Sequence, residues 1–320
     1  MKKDYIKLVH GEKSYNDWFV VNWCLGNTCN FSCSYCPTEL HDGSNKWPEL
    51  NTIKQFILKV KDQHVGKKIY FEFTGGEVTL YKHFIELCEF CKENDIRVGM
   101  ISNGSRTLRW WEENKNLFDH VCLSFHPEEA DADHFLAVAK ILQNHFRLHV
   151  NVMMSPDKFD HCYSVAERAT QLENTSIALQ PLIVDFGEVL YEYTAEQTKI
   201  MEDQWNLIGS KVKWNKKMEN YRGSMQLIYP QVAGPLVPPH EFIARNKNNW
   251  YGWDCFAGVE QLIVDMNGDI HRGWCKVGKR IGNIWDADIN FPTEPIRCNK
   301  PMCHCNFDIM STKVWPITPI

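Results

Sequence analysis

Residues 19–36 read Phe19-Val-Val-Asn-Trp-Cys-Leu-Gly-Asn-Thr-Cys29-Asn-Phe-Ser-Cys33-Ser-Tyr-Cys36, a β-rich apolar run followed by a loop with three cysteines. The thiols are spaced C-x3-C-x2-C. Three thiolates on one short loop can bind three irons of a cubane iron–sulfur cluster and leave the fourth iron without a protein ligand. The stretch therefore predicts a first β-strand with a cluster at its end, and the open iron is a place for chemistry.

A zinc site is the alternative for this loop. Structural zinc takes four ligands, and Cys24 could supply the fourth. The position of the loop favours the cluster, because it follows the carboxyl end of a predicted strand, where barrel enzymes place their active sites.

Outward from the loop, apolar β-rich runs alternate with amphipathic stretches from about residue 18 to about residue 210, a pattern typical of βα units and a parallel sheet. The predicted strands are residues 19–25, 68–73, 98–102, 121–125, 148–154 and 176–180. The predicted helices are residues 50–64, 81–95, 106–116, 131–145, 158–173 and 194–209. Six βα units fall short of a closed eight-fold barrel, so we predict an α/β fold, a partial (β/α)6 TIM-like barrel.

The alternation of predicted strands and helices ends at about residue 210. Residues 211–250 contain four prolines and are predicted to be a connector. Residues 251–320 form a small cluster-binding extension, in which Asn267-Gly268 is the turn of a predicted β-hairpin. The predicted organisation is an N-terminal segment at 1–17, the barrel at 18–210, the connector, and the extension.

Composition narrows the class of protein. A chain of 320 residues with 44% hydrophobic content can bury a full core, and its net charge of −5 gives no pull toward nucleic acid or an anionic membrane. Neither a signal peptide nor a membrane span is evident, so we expect a cytoplasmic protein. Because the cytosol keeps thiols reduced, the 13 cysteines are read first as metal ligands.

The cysteine loop resembles the signature of the radical S-adenosylmethionine (SAM) superfamily, C-x3-C-x2-C with an aromatic residue just before the third cysteine, here Tyr35. The resemblance implies that Cys29, Cys33 and Cys36 ligate a [4Fe–4S] cluster that binds SAM. It also implies that the backbone around Tyr35 meets the adenine.

A second motif, Phe73-Thr-Gly-Gly-Glu-Val78, ends the second predicted strand. Two glycines allow a close backbone approach to a ligand, and Glu77 offers an acceptor for an ammonium group. In the superfamily this motif holds the methionine amino group, so by resemblance Gly75, Gly76 and Glu77 bind SAM. Alone the motif is more often a tight turn; one βα unit after the cysteine loop it is specific.

Further positions are less specific. By resemblance, Ser102 and Asn103 lie near the SAM ribose and carboxylate, and Ser124 and His126 lie where ribose contacts occur. Ordinary turn capping explains such residues equally well. Two polar residues, Asn151 and Gln180, lie on later strands. Each either points toward the substrate or forms its hydrogen bonds inside the core.

The C-terminal cysteines resemble the SPASM or shorter Twitch extensions of the superfamily, with irregular spacing and too few thiols for two full clusters. We therefore expect one auxiliary [4Fe–4S] cluster, whose candidate ligands are Cys255, Cys275, Cys298, Cys303 and Cys305. Cys255 and Cys275 are the safer ligands; which of the last three complete the set stays open, as does a role for His304. A structural zinc ribbon is the alternative.

The remaining thiols are predicted to be core residues. Cys88 and Cys91 are three apart in a predicted helix, and Cys122 and Cys162 lie in apolar surroundings. A free thiol could also return a hydrogen atom to a substrate radical, but no residue is singled out for that role.

The resemblance implies an enzyme that cleaves SAM reductively to a 5′-deoxyadenosyl radical and abstracts hydrogen from a peptide or a small molecule. The auxiliary cluster would aid oxidation or bond formation, and flavodoxin or ferredoxin would supply electrons. About seventeen residues precede the first predicted strand, which disfavours a leader-peptide-binding domain there. The rival class is a structural or interaction protein that binds zinc or iron at the cysteines.

Overall fold

A computed structural model describes residues 4–184, 189–215, 223–303 and 305–316, without the side chain of Ala244. The chain forms two compact units. The first comprises Met1–Cys24, Glu49–Phe71 and Asn220–Ile320, and the second comprises Leu25–Pro48 and Glu72–Glu219.

The strands are β1 Lys7–His10, β2 Trp18–Gly26, β3 Lys68–Gly75, β4 Arg97–Ser102, β5 His120–Phe125, β6 Arg147–Met154, β7 Thr175–Pro181, β8 Met225–Ile228, β9 Ala233–Val237, β10 Asp254–Cys255, β11 Gln261–Val264, β12 Asp269–His271, β13 Gly282–Asn283, β14 Ile296–Arg297 and β15 Lys313–Val314. The helices are α1 Leu50–Gln63, α2 Phe84–Glu93, α3 Leu108–Asn114, α4 Ala132–Leu142, α5 Phe159–Ala169, α6 Ala195–Glu202, α7 Gln204–Leu207, α8 Pro239–Ala244 and α9 Asn306–Ile309.

In the second unit, the strand order is β3-β4-β5-β6-β7, and β4 to β7 pair in parallel. Side chains alternate along these strands. One face is buried beneath the helices, as where Phe125 of β5 packs edge-on against Phe135 of α4 at 5.3 Å between ring centroids. The other face is half-buried and polar on β6, with His149 and Asn151. This alternation leaves a polar inner face on an open parallel array.

In the first unit, the strand order is β13-β12-β11-β2-β3, with β11 parallel to β2 and β12 antiparallel to both of its neighbours. Every residue of β2 is buried. The helix α1 presents one apolar face at the spacing of successive turns, formed by Ile53, Phe56, Ile57 and Val60. A separate antiparallel sheet has the order β14-β10-β15-β1-β8-β9.

The predicted hairpin is formed by β11 and β12, with Gly268 at a positive φ of 74° in the turn. The side chain of Asp265 closes the turn by accepting hydrogen bonds from the backbone N–H of Asn267 (3.0 Å) and Asp269 (3.1 Å). The predicted glycine position is thus required by the backbone conformation.

The six strands predicted for the barrel are observed as β2 to β7, each within two residues of its predicted ends. The stretch 211–250, predicted as a connector, contains β8, β9 and α8 in its described part. None of the described helices is both long and apolar enough to cross a membrane.

Candidate functional site

The cysteine loop follows β2 directly, as predicted. Cys33 is buried, and Cys29 and Cys36 are half-buried. The loop turns through a hydrogen bond from the Cys36 N–H to the Cys33 carbonyl (3.0 Å), and the Phe31 N–H points at the Cys29 sulfur (3.4 Å). All three thiols therefore come from one short, turned segment.

Burial holds these thiols in their neutral form when no metal is bound. It raises the pKa of Cys33 to about 12 and that of Cys36 to about 11, and it raises the pKa of Cys29 as well. A metal that binds here must displace the protons, so metal binding releases them to solvent.

Two glutamates beyond β5 hold the loop. The Ser34 N–H and hydroxyl both donate to the Glu128 carboxylate at 2.6 Å, and the Ser32 hydroxyl donates to Glu129 at 3.1 Å. This pair of glutamates was not predicted from the sequence. No local pattern marks them, because their partners lie more than ninety residues earlier in the chain.

Tyr35 and His126, both predicted to bind the cofactor, lie against one another. Their rings are nearly parallel at 8° with centroids 6.0 Å apart, and the Tyr35 hydroxyl lies 2.9 Å from His126 Nδ1. Burial lowers the pKa of His126 to about 4, which leaves the imidazole neutral at pH 7. The neutral imidazole can accept a hydrogen bond from the Tyr35 hydroxyl. His126 therefore fixes the position of Tyr35, the residue just before the third cysteine.

The two glycines of the second motif are required by contact with the end of β2. The Gly76 N–H donates to the Gly26 carbonyl (2.9 Å), and the Glu77 N–H donates to the Thr28 carbonyl (2.8 Å). A Cβ on Gly75 would lie 2.2 Å from the Gly26 oxygen, and Gly75 has a positive φ of 135°. The two glycines therefore allow the end of β3 to lie close to the backbone segment that leads into the cysteine loop.

Glu77 is fully buried and accepts hydrogen bonds from its own chain. The donors are the Thr79 hydroxyl (2.7 Å), the Ser102 hydroxyl (3.0 Å) and the Asn103 N–H (2.8 Å). Burial raises the pKa of the carboxyl, and these bonds oppose that rise. The carboxylate therefore ties the end of β3 to the end of β4; its predicted contact with an ammonium group stays a prediction.

Asn103 connects the end of β4 to the cysteine loop. Its amide nitrogen donates to the Asn30 side-chain oxygen (3.1 Å) and lies 3.9 Å from the Cys29 sulfur. The structure thus brings Cys29, Glu77, Ser102 and Asn103 into one hydrogen-bonded group. These residues were predicted separately, from three different strand ends.

The other predicted positions lie on the inner face of the parallel strands. Ser124 of β5 is buried directly opposite Asn151 of β6. The Asn151 amide nitrogen lies 3.2 Å from the Cys122 sulfur, and its oxygen lies 2.8 Å from His149 Nε2. Gln180 donates to the neighbouring Pro181 carbonyl (3.2 Å). Asn151 is therefore largely satisfied within the protein, and Gln180 is half-buried.

The C-terminal cysteines lie in the first unit around α9 and β15. Cys255, Cys298 and Cys303 are buried, and Cys275 and Cys305 are half-buried. Cys255, Cys275 and Cys298 share one apolar cluster. Burial raises the pKa of the thiols at 255, 275, 303 and 305, and each of these is further raised by a neighbouring thiol of the group. His304 lies outside the described residues.

Asp308 organises this cluster of thiols. Its buried carboxylate accepts the N–H of Trp274 (2.9 Å) and of Cys275 (2.7 Å), and its own N–H points at the Cys305 sulfur (3.4 Å). The Trp274 indole in turn donates to Asn22 of β2 (2.9 Å). The spacing of the cysteines does not indicate Asp308, and its role was not predicted from the sequence.

Zinc and a larger cluster require different spacing of the thiols. Four sulfurs around one zinc ion lie about 3.8 Å apart, from a zinc–sulfur bond of about 2.3 Å. Over the described ranges, the one group of three or more His, Cys, Asp or Glu ligand atoms within 4.8 Å of one another is Asp265, Asp269 and His271. Among the described residues, neither set of cysteines forms such a group.

The acidic group on the hairpin already has cationic partners. Lys276 Nζ lies 3.6 Å from Asp265, and Arg280 lies 2.6 Å from Asp269. These cations compensate the two carboxylates, so the group is explained without a metal ion.

The remaining cysteines are buried in the fold, as predicted. Cys88 and Cys91 lie on the buried face of α2, and Cys122 and Cys162 are buried on β5 and α5. Cys24 is buried within β2.

Comparison with known proteins agrees with this geometry. Residues 23–157, which contain the cysteine loop and the Gly-Gly-Glu motif, match the sequence model of a family described as the radical SAM superfamily. The match agrees with the resemblance predicted from the cysteine loop and the Gly-Gly-Glu motif.

Two solved structures with bound S-adenosylmethionine share the fold. Native anSMEcpe with bound AdoMet is 17% identical, with a TM-score of 0.54 over 84% of this chain and 78% of that chain. Streptococcus suis SuiB bound to S-adenosylmethionine is 14% identical, with a TM-score of 0.53 over 84% of this chain and 64% of that chain. These likenesses confirm the predicted partial barrel.

Curated relatives match over shorter segments. The sporulation killing factor maturation protein SkfB of Bacillus subtilis (strain 168) is 34% identical over 98 residues, which are 30% of this chain and 22% of SkfB. The GTP 3′,8-cyclase of Pasteurella multocida (strain Pm70) is 30% identical over 96 residues, 29% of this chain and 28% of that protein. The matches therefore cover less than a third of either relative.

Proposed function

We propose that this chain cleaves SAM reductively, using a [4Fe–4S] cluster held by Cys29, Cys33 and Cys36, and abstracts hydrogen from a substrate. The observation that carries the proposal is the hydrogen-bonded group at the strand ends. In it, Asn103 links the Cys29 sulfur to Glu77, and Glu77 belongs to the Gly-Gly-Glu motif.

The residues present fit this cofactor. One loop offers three soft sulfur ligands, and an N–H and an amide group already point at the Cys29 sulfur. When bound, the cluster would supply the electron that breaks a carbon–sulfur bond of SAM. The chain itself positions the site: Glu77 orients Ser102 and Asn103, and His126 orients Tyr35 beside the third cysteine.

We further propose one auxiliary [4Fe–4S] cluster at the C-terminal thiols, with Cys255 and Cys275 among its ligands. Such a cluster would accept an electron from the substrate radical or anchor the substrate. A peptide substrate is favoured over a small molecule by the similarity to SkfB, which is named a maturation protein. Flavodoxin or ferredoxin is the proposed reductant.

Anaerobic reconstitution tests the proposal. We expect about eight irons per chain if both sites hold [4Fe–4S] clusters, and 5′-deoxyadenosine on reduction with SAM. Cys33→Ala should abolish that product. Cys162→Ala, a buried thiol on α5, is the matched control and should retain it. Zinc at both sites without cleavage of SAM would instead establish the structural or interaction protein.

The auxiliary site has its own test. Cys275→Ala should lower the iron content by about half, since one of two clusters is lost, and should spare uncoupled formation of 5′-deoxyadenosine while stopping turnover of the true substrate. Normal substrate turnover by the Cys275→Ala variant would contradict the auxiliary role.

A further inference from the structure

A fully buried lysine lies among the C-terminal thiols. Lys313 has 0% of its surface exposed, and its Nζ donates to three backbone carbonyls, those of Asp308 (2.8 Å), Ile309 (3.0 Å) and Ser311 (2.9 Å). Three acceptors match the three N–H donors of an ammonium group, so the geometry is that of the charged form. The Nζ also lies 4.9 Å from the ring centroid of Trp250.

This charge lacks a direct anionic partner. Among the residues that the structure describes, no carboxylate lies within ion-pair distance of Lys313 Nζ, and the nearby Asp308 carboxylate is engaged by the N–H groups of Trp274 and Cys275. A buried charge is stabilised further when an opposite charge lies close to it. The fold therefore calls for negative charge close to Lys313.

The thiols are placed to supply that charge. Lys313 of β15 is directly opposite Cys255 of β10 in the antiparallel sheet, and side chains at such paired positions lie on the same face. Cys303 belongs to the same core cluster as Trp250, and the Lys313 ammonium lies over the Trp250 ring. Thiolates formed on metal binding at Cys255 and Cys303 would thus flank the cation.

We propose that Lys313 supplies the buried positive charge that balances the anionic cluster at the C-terminal thiols and raises the reduction potential of that cluster. The proposal rests on the auxiliary cluster proposed above. Reduction adds one electron to a group that is already negative, and a fixed cation nearby stabilises the reduced form more than the oxidised form. Burial removes the solvent screening that weakens such an effect at a surface.

Redox titration of the auxiliary cluster tests this role. The full chain with Cys29, Cys33 and Cys36 all changed to Ala keeps the C-terminal thiols alone, so its electron paramagnetic resonance signal reports one site. In this background we expect Lys313→Met to make reduction at least about tenfold less favourable, a fall of about 59 mV for a one-electron couple. Lys276→Met is the matched control, because Lys276 follows Cys275 but its side chain is 56% exposed.

Each outcome bears on the proposal. A midpoint potential that falls no further in Lys313→Met than in Lys276→Met would overturn it. If Lys313→Met fails to hold the cluster, Lys313→Arg decides: iron retained with Arg supports a requirement for charge, and iron lost with both variants assigns Lys313 to packing instead. A C-terminal site that takes up no iron even with Lys313 present would overturn the auxiliary cluster itself.

Discussion

At the scale of single residues, the carboxylate of Glu77 shows how one buried group joins separate parts of a site. Its oxygens accept from Thr79, Ser102 and Asn103, and it has no exposed surface. Removing acceptors from buried donors costs more than the hydrogen bonds themselves contribute, because the donors cannot return to water. The group therefore influences both stability and the position of Asn103 near Cys29.

Glu77→Gln should lower the free energy of unfolding by about 1–3 kcal/mol, since its new NH2 group would face existing donors. It should also weaken SAM binding, because Asn103 loses its anchor. Urea denaturation measures the first effect and equilibrium dialysis the second. Glu89→Gln, at an exposed position on α2, is the control and should change neither. Equal stability of the two variants would contradict this account of Glu77.

The cysteines were predictable because their spacing is local. The Gly-Gly-Glu motif was predictable for the same reason, but the partners of Glu77 were not. Ser102 and Asn103 follow it by 25 and 26 residues, and only the pairing of strands brings them together. Lys313 was invisible from sequence, since a lysine is ordinarily exposed and its burial depends on β15 pairing with β10.

At the scale of elements, the end of β3 is fixed by its approach to the end of β2. A Cβ on Gly76 would lie 2.2 Å from the Thr28 carbonyl oxygen, which is backbone and cannot rotate away. We expect Gly76→Ala to cost about 1–3 kcal/mol of stability through this overlap and to reduce the iron bound by the cysteine loop. Thermal unfolding and iron analysis measure the two effects.

Gly66→Ala is the control for that prediction. Gly66 has a positive φ of 87°, but nothing lies within 4 Å of its added Cβ. It therefore carries the cost of backbone strain alone, about 1 kcal/mol. Iron loss as large in Gly66→Ala as in Gly76→Ala would remove the link between the strand end and the loop.

The helices and the barrel strands could be predicted from the sequence, because each is long enough for its buried positions to repeat at a regular spacing. In α1 the buried residues recur at the helical spacing, and β6 alternates buried and half-buried positions throughout. The antiparallel sheet of the first unit could not be predicted from the sequence. Its strands have two to five residues, too few for a pattern, and they pair across most of the chain.

At the scale of the whole molecule, the half-buried His64 makes stability depend on pH. Burial lowers the pKa of His64 from 6.5 to about 4, and its ring stacks on Phe19 with centroids 3.5 Å apart. Between these two pH values the unfolded chain binds more protons than the folded chain, so acidification favours unfolding. We expect the free energy of unfolding to fall as the pH drops from about 7 to about 4.

His64→Phe keeps an aromatic ring and removes the titrating group. It should lose less stability than the parent chain between about pH 7.5 and about pH 5. Guanidinium denaturation at the two pH values measures the difference. His161→Phe replaces an exposed imidazole and serves as the control. An identical loss in the His64→Phe variant and the parent would show that another group dominates the acid response.

The strand pairing of the first unit also constrains biosynthesis. Lys7 of β1 pairs with Val314 of β15, so this pairing is delayed until the much later strand has been synthesised. At about 5–20 residues per second, that delay is roughly 15–60 s. During this interval the nascent chain exposes an unpaired edge of β1 and several free thiols. Chaperones can bind the exposed edge, and oxidants can reach the cysteines.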